Sequence, residues 1–292
     1  MIEKNGLNNS LNIENRKINV LHILDMVGGS SIQSHFYNKF GYGKSIVFYH
    51  KKAKNNPVVE FYNEAIPFPT VRSLVLEAIR RCRSNEIDII HLHQAEILLP
   101  IFKLLTNKKI VLQYQGSDIN EPGRSKNIFR IIFRSMADTI IYNQKFHLKK
   151  IITIRKLPKE YHVNAVDTDH FKPQDKTKKG TVAFISDNMN KKATLKLLEK
   201  FEGIEIINVA KADIPHKEIP NILNNYEMMV DLKVATYNLL VPTLSMLSLQ
   251  SLACGCKVYT FQDEIKEGLP ERHKPEVVIK KLYDLFYKVL TT

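Results

Sequence analysis

Two histidines, His91 and His93, alternate along an apolar segment that is predicted to be a buried strand. Residues two apart in a strand point to the same face of a sheet, so the two imidazoles lie close enough to act as a pair of metal ligands. A protein metal site needs at least one more ligand, and the sequence pattern supplies no third one. We therefore expect no metal at this pair.

A second chemical feature is the glycine pair Gly28-Gly29, which follows the first apolar segment. Glycine has no Cβ, so the backbone here can approach an acceptor molecule or a phosphate closely. An ordinary tight turn uses the same residues, and this alternative stays open.

A basic stretch, Arg124–Lys159, contains ten lysines or arginines and a single acid, Asp138. The segment NIFRIIFRSM within it predicts a helix whose isoleucines and arginines lie on different faces, namely Ile128, Ile131 and Ile132 against Arg130 and Arg134. Such a helix suits an anionic membrane surface. The alternative is an ordinary helix that packs on a sheet with its arginines in water.

The composition is that of a globular protein, with 44% apolar and 25% charged residues in 292. This length suits two modest domains. The net charge of +13 favours polyanionic partners, although a biased composition would give the same excess. Without a helix-turn-helix, zinc-finger or aromatic platform signature, we do not expect a nucleic-acid partner.

The N-terminal residues are polar and lack the apolar core of a secretion signal, and no apolar run reaches the roughly 18 residues of a membrane span. Three cysteines, Cys82, Cys254 and Cys256, form no disulfide framework. We expect a cytoplasmic protein.

Short β-branched segments alternate with segments of helical period, a pattern typical of α/β folds with parallel sheets. Five apolar segments predict the strands of a first sheet: Ile18–Leu24, Ser45–Tyr49, Ile87–His93, Ile110–Gln115 and Thr139–Asn143. Five more predict a second sheet: Tyr161–Val166, Val182–Ser186, Ile204–Ala210, Met228–Val234 and Lys257–Phe261. Amphipathic helices are predicted over Val71–Cys82 and Ala95–Leu105.

The predicted organisation has five parts. They are a loose tail at 1–16, a first domain at 17–170, a basic linker at 171–180, a smaller second domain at 181–274 and a C-terminal helix at 275–292.

The segment NAVDTDHFKP, Asn164–Pro173, resembles the Asn-Gly-Val-Asp-Thr-x-x-Phe-x-Pro signature that joins the two domains of family 4 retaining glycosyltransferases. Four further segments resemble the family in the same order: Gly28-Gly29, QGSDI at 115–119, IPHKEIPNILN at 214–224 and QSLACGCKV at 250–258. The resemblance implies a GT-B fold, in which two Rossmann-like domains face a cleft and the C-terminal helix crosses back to the first domain.

In the first domain, the resemblance implies a catalytic role for Gln115, which stands where the family has a histidine, and for the retained Asp118. It also implies that Gly28 and Gly29 contact the substrates. Asp118 has an alternative role as the cap of the following turn.

In the second domain, the resemblance implies that Lys192 binds the donor diphosphate, although a solvated helix lysine is an equal alternative. The chain departs from the family because Asp187 stands in place of the arginine that completes the diphosphate clamp. Such enzymes stabilise the leaving group with basic side chains and backbone N–H groups, so no metal cofactor is expected.

The donor motif departs further, since Pro242 and Gln250 replace two glutamates and Thr243 and Ser245 replace two glycines. Gln250 keeps one acceptor for a ribose hydroxyl, whereas Pro242 has no polar side chain and no N–H. The family's donor-contacting positions in this chain are therefore Lys192, Thr243, Ser245 and Gln250.

The resemblance predicts a glycosyltransferase that moves a sugar from a nucleoside-diphosphate donor to a hydroxyl of a glycan or a lipid-linked acceptor, with retention. The alternative is a non-catalytic GT-B protein that binds a glycosyltransferase partner or a glycan. The basic stretch adds an anionic membrane surface to the expected partners.

Overall fold

The computed structural model describes most of the chain. The described residues are 16–24, 28–51, 62–115, 126–185, 194, 196, 198–208, 214–232, 244–260 and 262–292. They form two compact units: one comprises the described residues up to Ala165 together with Glu276–Thr292, and the other is Val166–Pro275.

The first unit is built on a seven-stranded sheet whose paired strands are all parallel. The strands are β1 (Val20–Ile23), β2 (Ser45–His50), β3 (Ala65–Phe68), β4 (Ile89–His93), β5 (Lys109–Tyr114), β6 (Thr139–Tyr142) and β7 (Lys159–Tyr161). Their order in the sheet is β3-β2-β1-β4-β5-β6-β7. The central strands β1 and β4 are buried along their whole length, as expected of a parallel sheet covered on both faces.

Among the described residues before Val166, four α-helices follow strands of this sheet. They are α1 (Gly29–Lys39), α2 (Val71–Arg83), α3 (Leu99–Leu105) and α4 (Ile128–Arg134). Helix α2 begins at a capping box, in which Thr70 Oγ1 accepts from the N–H of Ser73 at 3.0 Å. The helices predicted over Val71–Cys82 and Ala95–Leu105 are confirmed, the second beginning as a 3-10 turn at Glu96–Leu98.

Helix α4 turns apolar side chains outward and an arginine inward, which is the reverse of an ordinary helix that packs on a sheet. Phe129 is 65% exposed and Ile128 and Ile132 are exposed too, whereas Arg134 is 1% exposed. Arg134 is held inside by a hydrogen bond from its Nε to the Arg130 carbonyl at 3.0 Å and by Glu96 at 4.0 Å. The alternative of an ordinary helix with its arginines in water is therefore wrong for Arg134, while Arg130 is partly exposed.

The second unit contains a five-stranded sheet in the order β12-β11-β10-β8-β9, parallel except for the β11–β12 pair. Its strands are β8 (Thr181–Ile185), β9 (Glu205–Asn208), β10 (Met228–Val230), β11 (Lys257–Tyr259) and β12 (Ile265–Lys266). Helices α5 (Ile219–Leu223) and α6 (Met246–Ala253) pack with this sheet. Phe171, in the segment predicted as a linker, is buried in this core, and the sequence-based domain bounds remain predictions.

The C-terminal helix α7 (Pro275–Thr291) follows the second unit in sequence, but its apolar face belongs to the first. Val278, Ile279, Leu282 and Phe286 are buried in the cluster that includes Val20 of β1 and Ile89 of β4. This placement confirms the expected return of the C-terminal helix to the first unit.

One strand prediction is corrected, and β3 and β12 are strands that the sequence did not predict. Tyr161–Val166 was expected to begin the second sheet, whereas β7 (Lys159–Tyr161) pairs with β6 in the first. Strand β3 was not predicted, because Pro67 interrupts its β pattern. It lies at the edge of the sheet, where a missing N–H is tolerated.

Among the described helices, none combines the length and the apolar character that crossing a membrane requires.

Candidate functional site

The strand order of the first unit defines a switch point between β1 and β4. The chain moves from β1 to β2 and β3 on one side, then returns to β4 and moves through β5 to β7 on the other. In open parallel sheets, ligands bind at the carboxyl ends of the two strands that flank such a point. The residues at the ends of β1, β4 and β5 are therefore the first candidates for a site.

Three histidines occupy this point: His22 on β1 and His91 and His93 on β4. All three are 0% exposed, and His22 lies directly opposite His91 in the strand register. The ring centroids are 4.9 Å apart for His22 and His91, 5.3 Å for His22 and His93, and 4.3 Å for His91 and His93. The third histidine that the local sequence pattern did not supply comes from a neighbouring strand.

Gln115 and Gly29 join the cluster from the end of β5 and the start of α1. The side-chain amide nitrogen of Gln115 donates to Nδ1 of His93 at 3.0 Å, and the backbone carbonyl of Gln115 accepts from Asn143 Nδ2 at 2.8 Å. A Cβ on Gly29 would lie 3.0 Å from the amide nitrogen of Gln115, so a side chain there would press on that amide. Gly28, with φ of 76°, supplies the left-handed residue that precedes the helix.

Burial sets the charge of the three rings. It lowers the pKa of His22 to about 3 and lowers the pKa of His91 and of His93 well below the ordinary value. Repulsion between the imidazolium forms adds to this for His91, while the Gln113 amide acts in the opposite direction. All three rings are therefore neutral at pH 7, and each ring has one nitrogen with a proton and one with a lone pair.

The hydrogen bonds fix the tautomers of two of these rings. An amide nitrogen only donates, so Nδ1 of His93 accepts from Gln115 and the His93 proton lies on Nε2. That Nε2–H donates to Nδ1 of His22 at 3.0 Å, which places the His22 proton on its own Nε2. Within the described part of the chain, His22 Nε2 and both nitrogens of His91 have no hydrogen-bond partner.

Two glutamines extend this buried polar region. Gln33 of α1 donates to the side-chain oxygen of Gln113 on β5 at 3.4 Å. The Gln33 oxygen and the Gln113 nitrogen have no partner among the described residues. Buried polar atoms are normally satisfied, so this group of unpartnered atoms indicates a place where a water, an ion or a ligand binds.

In the second unit, Ser245 and Gln250 are the predicted donor-site residues that the structure describes. Ser245 caps α6, its Oγ accepting from the N–H of Ser248 at 3.1 Å, and its own N–H donates to Asp231 Oδ2 at 3.1 Å. Gln250 is buried on the same helix. Asp231, at the end of β10, belongs to no motif in the sequence and was missed.

Three other predicted site residues, Asp118, Lys192 and Thr243, lie outside the described residues. The structure therefore brings Gly28, Gly29 and Gln115 together in the first unit and places Ser245 and Gln250 on one helix of the second.

Comparison with known proteins agrees on the fold. The sucrose-phosphate synthase from Thermosynechococcus elongatus matches with a TM-score of 0.55 and 9% identity, covering 94% of this chain and 90% of that chain. A putative UDP-N-acetylglucosamine 2-epimerase from Listeria monocytogenes matches with a TM-score of 0.50 and 13% identity, covering 94% and 90%. No protein-family model and no curated protein sequence matches the chain.

These similarities, together with the two sheets and the returning C-terminal helix, confirm the predicted α/β fold of the GT-B type. One of the two similar proteins is named a synthase and the other an epimerase, so the fold alone does not select a reaction. Membership in family 4 remains a prediction.

Proposed function

We propose that the protein is a glycosyltransferase that moves a sugar from a nucleoside-diphosphate donor to a hydroxyl acceptor with retention. The observation that carries the proposal is the buried polar group at the β1–β4 switch point, where Gly29, Gln115 and His93 meet in a GT-B fold. The family resemblance of the sequence supplies the reaction.

Each proposed site residue has a role that suits its chemistry. In the first unit, Gln115 and Asp118 orient the acceptor hydroxyl, and Gly28 and Gly29 allow the substrates to approach the backbone. In the second, Lys192 neutralises the departing diphosphate.

Gln250 offers its amide oxygen to a ribose hydroxyl, while Thr243 and Ser245 line the donor position. Since lysine and backbone N–H groups stabilise the diphosphate, the transfer itself requires no metal in this proposal.

Titration with UDP, GDP and ADP tests the donor site. We expect one of the three to bind, and Lys192→Ala to weaken its affinity by about 10- to 100-fold, as loss of a charge-assisted hydrogen bond does. Lys196→Ala, an exposed lysine four residues on, is the matched control and should bind like the wild type.

If the wild type binds none of the three nucleotides and releases none from their sugars, the donor site is not functional. The protein is then the non-catalytic alternative, a partner subunit or glycan-binding module, to which Asp187 and Pro242 already point.

We also propose that the first unit docks on an anionic membrane at the cytoplasmic face, where a lipid-linked acceptor would be found. The support is an exposed apolar surface on α4, α3 and the 3-10 turn Glu96–Leu98 before α3, and the Arg130–Glu96 ion pair joins α4 to that turn at 2.7 Å. Its exposed side chains are Ile97, Ile101, Leu104, Ile128, Phe129 and Ile132. An apolar surface of this kind on a single chain marks an interaction site.

Basic residues accompany this surface in the chain and complement anionic lipid. Lys126 lies just before the N-cap of α4 and is exposed, as are Lys149 and Lys156 in the segment after β6. Each basic residue near such a membrane contributes about 1 kcal/mol, and salt screens the attraction. Arg130 and Arg134, by contrast, are tied to Glu96 and hold the helix in place.

Co-sedimentation with vesicles tests the docking. We expect binding to anionic but not to neutral vesicles, weakened by salt, by Lys126→Glu with Lys149→Glu and by Phe129→Ser with Ile132→Ser. Leu76→Ser, an exposed leucine on α2, is the control and should bind like the wild type. Equal partitioning of the wild type to both vesicle types, or to neither, would refute the proposal.

A further inference from the structure

We propose that His22, His91 and His93 bind a divalent transition-metal ion of the zinc class. The site lies in the first unit and shares His93 and Gln115 with the site of the proposed glycosyl transfer. Metal binding is measured without nucleotide or sugar, so either proposal can fail without the other.

The geometry of the three rings suits such an ion. One ring nitrogen can be taken from each histidine so that all three lie within 4.8 Å of one another. Ligands about 2.0 Å from a tetrahedral zinc ion are separated by about 3.4 Å. The His22 Nδ1 to His93 Nε2 distance of 3.0 Å is already close to that value.

The donor atoms select the kind of metal. The cluster offers imidazole nitrogens, which suit zinc, cobalt, nickel and copper, whereas calcium and magnesium prefer oxygen ligands. Cys82 packs in the other apolar cluster of the first unit, and Cys254 and Cys256 belong to the second unit, so no thiolate joins this set. Three neutral protein ligands leave a fourth position for water, hydroxide or another oxygen ligand.

The unpartnered nitrogens of the cluster support a ligand-binding role. Both nitrogens of His91 are buried and form no well-aligned hydrogen bond with a described residue, although the Gln113 amide lies near the ring. A metal would use the lone pair of His91.

Gln115 is assigned as a positioning residue for this metal. When Nε2 of His93 binds the ion, the His93 proton moves to Nδ1, and a half-turn of the Gln115 amide presents its oxygen to that Nδ1–H. Such hydrogen bonds orient metal-bound histidines, and their loss lowers metal affinity by about 10- to 100-fold. Gly29 leaves the space in which the amide turns.

The test uses the full chain without an affinity tag, freed of metal by a chelator and titrated with Co²⁺. We expect one ion per chain with the intense visible absorption of four-coordinate cobalt, and displacement of that absorption by Zn²⁺. His22→Ala and His93→Ala should each weaken binding at least 100-fold. His50→Ala, at a half-buried histidine of the same unit outside the cluster, should bind as the wild type does.

Variants of Gln115 test whether its hydrogen bond to His93 positions the metal ligand. Gln115→Glu keeps an oxygen acceptor and should preserve affinity, whereas Gln115→Leu should lose about 10- to 100-fold. If a histidine variant does not fold, X-ray absorption of the zinc-loaded wild type counts the imidazole ligands, three being expected. No binding by the wild type, fewer than three imidazoles, or unchanged affinity in folded histidine variants would overturn the proposal.

Discussion

His162 illustrates how burial fixes the charge of a single side chain. Its Nε2 lies 3.0 Å from the Val278 carbonyl of α7, and its Nδ1 lies 3.1 Å from the Val163 carbonyl. Burial nevertheless dominates, lowering the pKa of His162 to about 4, and nearby Lys281 acts in the same direction. The folded protein therefore holds this ring neutral, with one donor for two carbonyls.

This shift makes stability depend on pH in a predictable direction. The folded-state pKa of about 4 lies below the unfolded value of 6.5, so the contribution of His162 is complete above pH 6.5 and is lost as the pH falls toward 4. His162→Gln keeps a donor for Val278 and does not titrate. We expect the slope of unfolding free energy against pH to fall by up to about 1.4 kcal/mol per pH unit between pH 4.5 and 6.

Urea unfolding at a series of pH values measures that slope. His50→Gln, at a half-buried histidine of the same unit, is the control and should leave the slope unchanged. If His162→Gln has the same slope as the wild type, His162 is not a source of the acid sensitivity.

At the scale of elements, α4 owes its orientation to one buried charge pair. Arg134 lies beneath the helix with its guanidinium 5.8 Å from the Tyr114 ring centroid, and Glu96, also buried, lies 4.0 Å away. Glu96 also binds Arg130 at 2.7 Å. Moving two charges from water is costly unless they remain paired, so Glu96 fixes which face of α4 turns inward.

Removing Glu96 tests this account. Glu96→Ala removes the buried carboxylate that pairs with Arg134 and Arg130, and we expect the free energy of unfolding to fall by about 3 to 5 kcal/mol. Glu77→Ala removes a carboxylate from the partly exposed pairs with Arg80 and Arg81 and should cost about 1 kcal/mol or less. Denaturant unfolding compares the two, and equal losses would refute the special role of Glu96.

The same helix shows where prediction from sequence reaches its limit. Its existence and span could be predicted, because local period and Asn127, whose side chain accepts from the Arg130 N–H, are properties of the segment itself. The face that the helix turns inward could not be predicted, because it depends on Glu96, which lies 34 residues from Arg130 in another element. A charge pattern normally places arginines in water, and a tertiary ion pair overrides it here.

The candidate site likewise has contacts that could be predicted from the sequence and contacts that could not. The carboxyl ends of neighbouring parallel strands meet, so Gly29 and Gln115 could be expected near each other from the strand pattern and the family resemblance. The third histidine of the cluster could not be predicted, because His22 lies beside His91 only through the register of β1 with β4. The residue pattern within either strand does not specify which residues of the two strands lie side by side.

At the scale of the whole molecule, each unit has its own apolar core, and the first unit is completed by the end of the chain. Its core includes Phe286 of α7, which also contacts the His91 ring edge-on at 5.4 Å. The core of the second unit includes Phe171. The residues that finish the first unit are therefore synthesised after the whole of the second, and its native core requires contacts across more than 200 residues of sequence.

A matched pair of cavity variants tests this division. Phe286→Ala and Phe171→Ala each remove a fully buried ring, and truncation of such a ring costs about 3 to 5 kcal/mol. Because the two rings lie in separate cores, we expect each variant to lose stability only in the unit that contains the substituted ring.

Hydrogen exchange followed by mass spectrometry measures this local stability from the protection of the backbone amides. Phe286→Ala should speed exchange in β1, β4 and β5 and leave β8 and β10 unchanged, and Phe171→Ala should do the reverse. Loss of protection in β8 and β10 on substitution of Phe286 would mean that the chain unfolds as one cooperative body.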